Sequence, residues 1–327
     1  MEMVCIFLNK ERGKIMRYSD WFGRKSSRIL LGTAYFGDGI SKENAFLMMD
    51  KFRETGGTHI DTARLYADGR AEEIVGEWVS SRNANEMIVS TKGGYYEADL
   101  GEKPRLNETE VCKDLEKSLK ALKCDTIGFY WLHKDDEEKP VEYIIDMMNR
   151  FVTSGKIIRF GASNWTSARI KAANEYAEKN GLLGFSASQI RFNPAYCLGE
   201  RSGLVGMDSD EFEFYKKNNL PVVAYSSQAK GFFSKMAEHG ENALSEKAKK
   251  RYLCEENINR LEVLKRLSEK YNASVASIIC GAFSSFELPE VFPVIGGSRI
   301  EQIVDSLNGA DVKIEKTELK EIFKFDI

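Results

Sequence analysis

Residues 56–76 read GGTHIDTARLYADGRAEEIVG, and this stretch decides how the rest of the chain is read. A short run, THID at 58–61, stops on a carboxylate, Asp61. A polar loop carrying Tyr66 follows, and then Ala71, Ile74, Val75, Trp78 and Val79 recur at helical spacing. Strand, loop and helix therefore follow one another directly. Neither an acid at a strand end nor a phenol in a polar turn is an obvious thing to bury, so the surrounding chain must say whether the two belong to a site.

The same alternation continues on both sides. Upstream, SRILLGTAYFG precedes a helix starting near Ser41, with Ala45, Phe46, Met49 and Phe52 on one face and Gly56 as its C-cap. Downstream, EMIVSTK precedes a helix opened by Asn107 with Glu110 three residues on, an N-cap pattern, carrying Val111, Leu115, Leu119 and Leu122 inward. TIGFYWLH then precedes the helix of Val141, Ile144, Ile145, Met148 and Phe151, and KIIRFGASN precedes that of Ile170, Ala173 and Tyr176. GFSASQI and LPVVAYSS follow, and VFPVIGG comes after two helices, one with Ile258, Leu261, Leu264 and Leu267, the other with Val275, Ile278, Ile279 and Phe283.

Runs that are apolar on nearly every residue indicate strands covered on both faces, as in a parallel sheet. Eight such units in 327 residues fit a (β/α)8 TIM barrel better than a doubly wound sheet. No Pro-rich linker interrupts them, so residues 28–327 are expected to form one barrel domain behind an N-terminal extension and lead-in at 1–27. The polar stretch 231–255 reads as a loop over one mouth of the barrel.

Composition narrows the function classes. Hydrophobic content of 43% with 30% charged residues is that of a globular protein in water, and a net charge of −3 gives no attraction for polyanions, so nucleic acid is not an expected partner. The opening MEMVCIFLNK has five apolar residues behind an acid, which reads as neither signal peptide nor membrane span, and Met16 is an alternative start. Six cysteines without a C-x-x-C pair read as reduced thiols of a cytoplasmic protein. Three histidines without H-x-H or H-E-x-x-H give a metal site little to be built from. Oligomeric state leaves no mark in the sequence.

A (β/α)8 barrel does its chemistry at the C-terminal ends of its strands, where each apolar run stops. Asp61 ends the second run, Lys92 the third and His133 the fourth, with Tyr66 in the loop after the second. A tyrosine titrates near 10 and needs a nearby cation to act at neutral pH. Lys92 is such a cation, and Asp61 would keep it charged in a low dielectric. His133 could donate to a carbonyl oxygen or relay a proton. Each residue alone has a plainer explanation: a structural ion pair, a packed ring, a satisfied histidine under a loop. All four on three consecutive strand ends make a site that protonates an oxygen while something else delivers to carbon.

With these residues the chain resembles the aldo-keto reductase superfamily. The likeness is carried by GGTHIDTARLYADGRAEEIVG, STKGG, YWLHKDD, GKIIRFGASNW, SQIRFNP and VVAYSSQAKGFFS, and it spans roughly residues 29–306. The LHKDD and FGASNW wording is similar to bacterial reductases of uncertain substrate. The resemblance implies an NAD(P)H-dependent enzyme that reduces an aldehyde or ketone reversibly, with a small carbonyl or alcohol compound as its partner and no membrane. It implies that Tyr66 is the general acid, that Lys92 lowers its pKa, that Asp61 holds the lysine and that His133 orients the carbonyl.

It further implies a nicotinamide cofactor across the barrel mouth without a Gly-rich dinucleotide fold, in agreement with the lack of a G-x-G-x-x-G after a strand. Gly32 and Thr33 border it, Ser163, Asn164 and Gln189 grip the carboxamide, Tyr225 stacks on the ring, and Ser226 and Gly231 approach the pyrophosphate. At the adenosine end the sequence departs from the pattern. In GGSRIEQIVDS, Gly296 and Gln302 match, but Ser298 stands where an arginine often is, Arg299 is one place on, and Ser306 replaces an asparagine. Arg299 suits a 2′-phosphate, which favours NADP(H) over NAD(H). Tyr35, Tyr95, Trp165 and Phe232 follow strands and are candidate pocket walls, with Phe36, Tyr96 and Phe233 beside them, giving an apolar or aromatic-tolerant site. Two rivals stand beside this reading: a cofactor-binding sensor or regulatory protein of the same fold, and a lyase forming a Schiff base at Lys92.

Overall fold

The computed structural model describes residues 16–96, 105–199 and 204–323. A hairpin comes first, β1 (Tyr18–Trp21) paired antiparallel with β2 (Arg24–Ser27). Then β3 (Leu30–Gly32), α1 (Lys42–Glu54), β4 (His59–Asp61), α2 (Arg70–Ser81), β5 (Ile88–Gly93), α3 (Glu108–Leu122), β6 (Ile127–Leu132) and α4 (Val141–Thr153) follow. The second half runs β7 (Ile157–Ser163), α5 (Ser167–Lys179), β8 (Ser188–Arg191), α6 (Ser209–Lys217) and β9 (Val222–Tyr225). It continues with α7 (Phe232–His239), α8 (Glu246–Tyr252), α9 (Glu255–Tyr271), α10 (Val275–Ser284), β10 (Val291–Ile295), α11 (Ile300–Leu307) and α12 (Lys316–Phe323). Strands β3 to β10 are parallel neighbours in chain order, and β10 pairs with β3 to close an eight-stranded (β/α)8 barrel.

Helix starts are written locally. The side chains of Ser41, Asn107, Thr166, Asp208, Ser245 and Ser274 each accept a hydrogen bond from a backbone N–H of the turn they open, an arrangement that stabilises a helix by about 1 kcal/mol. Apolar side chains form two layers. One large cluster fills the space between barrel and helices, and a smaller one, including Leu30, Ile88, Phe129, Trp131, Val223 and Phe292, fills the barrel interior.

Two features differ from expectation or go beyond it. Residues 231–255 are mostly helical rather than a loop: α7 and α8 are anchored by the buried Phe232, Phe233, Leu244 and Tyr252, and their polar residues face outward. The β1–β2 hairpin, which the sequence did not announce, turns at Phe22 (φ 51°) and Gly23 (φ 84°), two left-handed residues that match the strand twist. It inserts Trp21 into the interior cluster at the N-terminal end of the barrel. Among the described residues no helix is long and apolar enough to cross a membrane.

Candidate active site

Side chains alternate along a strand, so every second residue of β4 to β9 points inward. The parallel register sets Asp61 beside Ser90, Lys92 beside Trp131 and Ser163 beside Gln189. Asp61, Lys92, Ser163 and Gln189 are buried at the C-terminal rim, with His133 and Tyr225 half-buried beside them. A polar ring thus lies over an apolar interior.

Lys92 Nζ donates to Asp61 Oδ2 at 2.6 Å and to the Thr62 carbonyl at 2.7 Å. Asp61 Oδ1 accepts from Ser90 Oγ at 2.9 Å and from Gln189 Nε2 at 3.1 Å. Burial alone would push the Lys92 pKa down, but Asp61 and Tyr66 outweigh it, and the net direction is up, which keeps the ammonium charged. Lys92 Nζ also lies 5.1 Å from the centre of the Tyr66 ring, close enough for its charge to act on the phenol.

Tyr66 is placed by a strained turn. Ala67 (φ 50°) and Asp68 (φ 55°) are left-handed, and Gly69 (φ 91°) opens α2, where a Cβ would collide with the Arg64 guanidinium. That guanidinium donates to the Asp68 carbonyl at 2.6 Å and pairs with the buried Glu72 at 2.8 Å, holding the turn shut. Burial pushes the Tyr66 pKa up, Lys92 pulls it down and Asp61 adds to the rise. The net direction is upward, so the expected acidifying effect of Lys92 is real but is outweighed by desolvation.

His133 stands edge-on to Tyr66, ring centres 6.1 Å apart, and 5.0 Å from the ring centre of Tyr95. Burial and the nearby Lys92 push its pKa down to about 3, so the imidazole is neutral. Its Nδ1 is buried with no hydrogen-bond partner among the described residues.

The residues expected around a carboxamide are tied into the same network. Asn164 Nδ2 donates to the His133 carbonyl at 3.2 Å and to Ser163 Oγ at 3.3 Å, while Tyr225 donates its hydroxyl to Asn164 Oδ1 at 2.7 Å. Thr33 donates its hydroxyl to the Asp61 carbonyl at 3.2 Å, and Gly32 makes room for Val294, since a Cβ there would lie 2.6 Å from Val294 Cγ1. Further along the mouth, Ser226, Ala229, Lys230 and Gly231 all have positive φ. Gly296 is exposed beside Ser298, and Gln302 Oε1 accepts from the backbone N–H groups of Ser298 at 2.9 Å and Arg299 at 3.2 Å. Arg299 is exposed and makes no ion pair among the described residues.

Some candidates are not brought to the site. Trp165 has no exposed surface and packs edge-on against Phe185 at 4.8 Å, and Phe232 is equally buried between Phe233 and Tyr252. Both belong to the large apolar cluster and have no surface left to meet a ligand. Tyr35 is 54% exposed. A cavity of about 230 Å³ does open beside the tetrad, lined by Tyr95, Tyr96, Lys92 and His133 but also by Arg64 and Arg105, so it is more polar than the expected apolar pocket. His59 and Ser90 were not anticipated. The available signal was their spacing, each two residues before Asp61 and Lys92 on the same strand and hence on the same face.

The chain belongs to the aldo/keto reductase family, whose model matches residues 28–327. It is similar to norsolorinic acid reductase A of Aspergillus parasiticus, 29% identical over 92% of this chain and 78% of that protein. It is similar also to a putative aryl-alcohol dehydrogenase of Saccharomyces cerevisiae, 26% identical over 97% of this chain and 88% of that one. An aldo-keto reductase of Aspergillus calidoustus is 25% identical over 95% of this chain and 81% of its own length. These relatives are fungal, so the narrower likeness to bacterial reductases finds no support among them.

Proposed function

We propose that this protein is an NADP(H)-dependent carbonyl reductase in which Tyr66 protonates the carbonyl oxygen, Lys92 and Asp61 govern the phenol, and neutral His133 orients the substrate. The observation that carries this reading is the buried Lys92 ammonium, held by Asp61 at 2.6 Å and lying 5.1 Å from the centre of the Tyr66 ring. A nicotinamide cofactor supplies the hydride, and the residues present suit one. Asn164, Ser163 and Gln189 offer amide and hydroxyl groups at the rim. The left-handed residues at Ser226 and 229–231 shape the turn that follows β9 at the mouth, where a pyrophosphate would pass.

A phenol whose pKa is raised stays protonated at neutral pH, which suits a proton donor in reduction. In the reverse direction it must first lose that proton, so alcohol oxidation should speed up with pH. The neutral His133 ring stands edge-on to the phenol, ring centres 6.1 Å apart, and can donate an N–H to a carbonyl oxygen held beside it. For substrate we favour an aryl aldehyde or ketone and the matching aryl alcohol. Tyr95 and Tyr96 offer ring faces to such a molecule, and relatives named for norsolorinic acid and aryl alcohols point the same way. A Schiff base at Lys92 is disfavoured, because an ammonium bonded to Asp61 and Thr62 is not a free amine.

The test is consumption of NADPH with aryl and aliphatic carbonyl substrates, wild type against Tyr66→Phe. Loss of about a hundredfold or more in kcat with NADPH affinity retained is expected. Equal turnover by both proteins would overturn the role of Tyr66, and borohydride trapping of a carbonyl substrate on Lys92 would replace it with the lyase reading.

A further inference from the structure

Below the rim a column of polar side chains crosses the largely apolar interior. His59 lies two residues below Asp61 on β4, Ser90 two residues below Lys92 on β5, and Ser26 on the hairpin that closes the floor. None of the three has exposed surface. Ser26 Oγ is 3.1 Å from His59 Nδ1, His59 Nε2 is 3.2 Å from Ser90 Oγ, and Ser90 Oγ is 2.9 Å from Asp61 Oδ1. A continuous chain of hydrogen bonds therefore runs from the floor of the barrel to the carboxylate that holds Lys92.

Its direction is fixed by proton counting. A carboxylate oxygen only accepts, so the one hydroxyl proton of Ser90 goes to Asp61 Oδ1. His59 Nε2 must then carry the ring proton and donate it to Ser90, which leaves Nδ1 to accept from Ser26. The Ser27 carbonyl, at 3.1 Å, is the other acceptor within reach of the Ser26 hydroxyl. The charged groups bearing on the ring are Arg24 of β2 and Lys92 of β5. Together with burial, the largest influence, they push the His59 pKa down to about 3 and keep the ring neutral. The Trp21 ring stands edge-on to the imidazole, ring centres 5.2 Å apart.

We propose that His59 is a positioning residue for the reaction, acting through Ser90: it fixes the Ser90 hydroxyl on Asp61 Oδ1, which turns Oδ2 to Lys92 and keeps the ammonium against the Tyr66 phenol. This inference rests on the reading of Tyr66 as general acid. Without His59, the Ser90 hydroxyl is free to rotate and Asp61 keeps only Gln189 on Oδ1. Lys92 is then less well aimed. Tyr66 is faced by Lys92, by Asp61 and by the neutral ring of His133, and Lys92 is the group that lowers its pKa, so a loosened Lys92 lets that pKa rise further.

The test is the pH profile of NADP-dependent alcohol oxidation, in which the rate rises as Tyr66 loses its proton. His59→Leu is expected to move the midpoint up by about one pH unit, which below the midpoint is a loss of about tenfold in rate at fixed pH. NADPH affinity, read by quenching of protein fluorescence, should stay within about twofold, since His59 has no exposed surface and its ring nitrogens meet Ser26 and Ser90, not the residues expected to hold the nucleotide. Ser90→Ala should reproduce the shift, and the double variant should be no worse than Ser90→Ala alone, because both break one chain. His59→Gln, whose amide can still donate to Ser90, should recover most of the midpoint. A midpoint unmoved in Ser90→Ala and in whichever His59 variant folds, whatever happens to thermal stability, would reduce the column to a folding element and overturn the proposal. Tyr66→Phe separates the two failures. If it retains oxidation and its pH limb, the reading of Tyr66 falls and the inference falls with it; if it is inactive while Ser90→Ala keeps the wild-type midpoint, the positioning role alone is lost.

Discussion

Lys92 Nζ lies 2.6 Å from Asp61 Oδ2 in a pair whose side chains are only 1% and 4% exposed. Removing one partner of such a pair strands a buried charge and costs about 3–5 kcal/mol. Asp61→Asn should therefore lower the unfolding free energy obtained from urea titration by that amount at neutral pH and cut kcat by about a hundredfold or more, since Lys92 loses its hold on the phenol. The folded Lys92 pKa is raised above the ordinary 10.5. Its contribution is then complete at lower pH and fades only as pH rises through the folded value, so wild type and variant should differ by a constant amount across the neutral range. A stable Asp61→Asn with wild-type kcat would show that the pair is neither structural nor catalytic.

At the far end of the mouth, Gln302 Oε1 binds the backbone N–H groups of Ser298 and Arg299 and leaves the Arg299 side chain exposed. If that guanidinium meets a 2′-phosphate, Arg299→Ala should raise the Kd for NADPH about tenfold or more and leave NADH within about twofold, because a hydrogen bond to a charged group contributes about 1.5–3 kcal/mol. Fluorescence titration with each nucleotide reads both. Equal weakening of the two would place Arg299 elsewhere on the cofactor, or on the fold of the loop.

The barrel was legible because strands covered on both faces must be apolar on nearly every residue, and the points where those runs stop name Asp61, Lys92 and His133 directly. What escaped lacks that signature. The hairpin strands Tyr18–Trp21 and Arg24–Ser27 are mostly polar, and their one deep anchor is Trp21. Helices Phe232–His239 and Glu246–Tyr252 bury only Phe232, Phe233 and Tyr252 fully and are otherwise half-buried or exposed, with many charged residues, so charge hid a few buried aromatics. Trp165 and Phe232 follow strands in sequence, yet which way a loop turns its side chains is set by neighbours such as Phe185 and Tyr252, far away in the chain. The His59–Ser90 contact joins residues on different strands, and sequence supplies only the parity that puts each on the inner face.

Two neutral histidines make the fold sensitive to acid. His59, by burial and then Arg24 and Lys92, and His133, by burial and then Lys92, have folded pKa values pushed from 6.5 down to about 3. Below 6.5 the unfolded chain binds protons that the folded chain refuses, so this stabilisation is full above 6.5 and is lost as pH falls from there toward 3. The slope approaches ~1.4 kcal/mol per pH unit for the fully buried His59 and is smaller for the half-buried His133. Urea midpoints taken between about pH 7.5 and about pH 5 should fall accordingly, and His59→Gln should flatten the fall by the share of His59. An unchanged slope in that variant would mean that His59 titrates normally in the fold.

Trp21 ties the separate two-stranded hairpin to the floor of the barrel. It is 3% exposed, and its ring centre lies 5.1 Å from those of both Phe129 and Phe292 and 5.2 Å from that of His59. Arg24 fastens the same hairpin to the carbonyls of Glu86 and Met87, at 3.0 and 3.2 Å. Truncating the indole would leave a hole that these rings, fixed on separate strands, cannot close, and Trp21→Ala should cost about 3–5 kcal/mol by urea unfolding. Trp21→Phe should recover most of that, because it refills most of the hole and removes an indole N–H that is buried without a partner among the described residues. The loss should register in stability and leave NADPH affinity within about twofold, since the cofactor mouth is at the opposite end of the strands. A Trp21→Ala protein as stable as wild type would show that the barrel floor is closed without the hairpin.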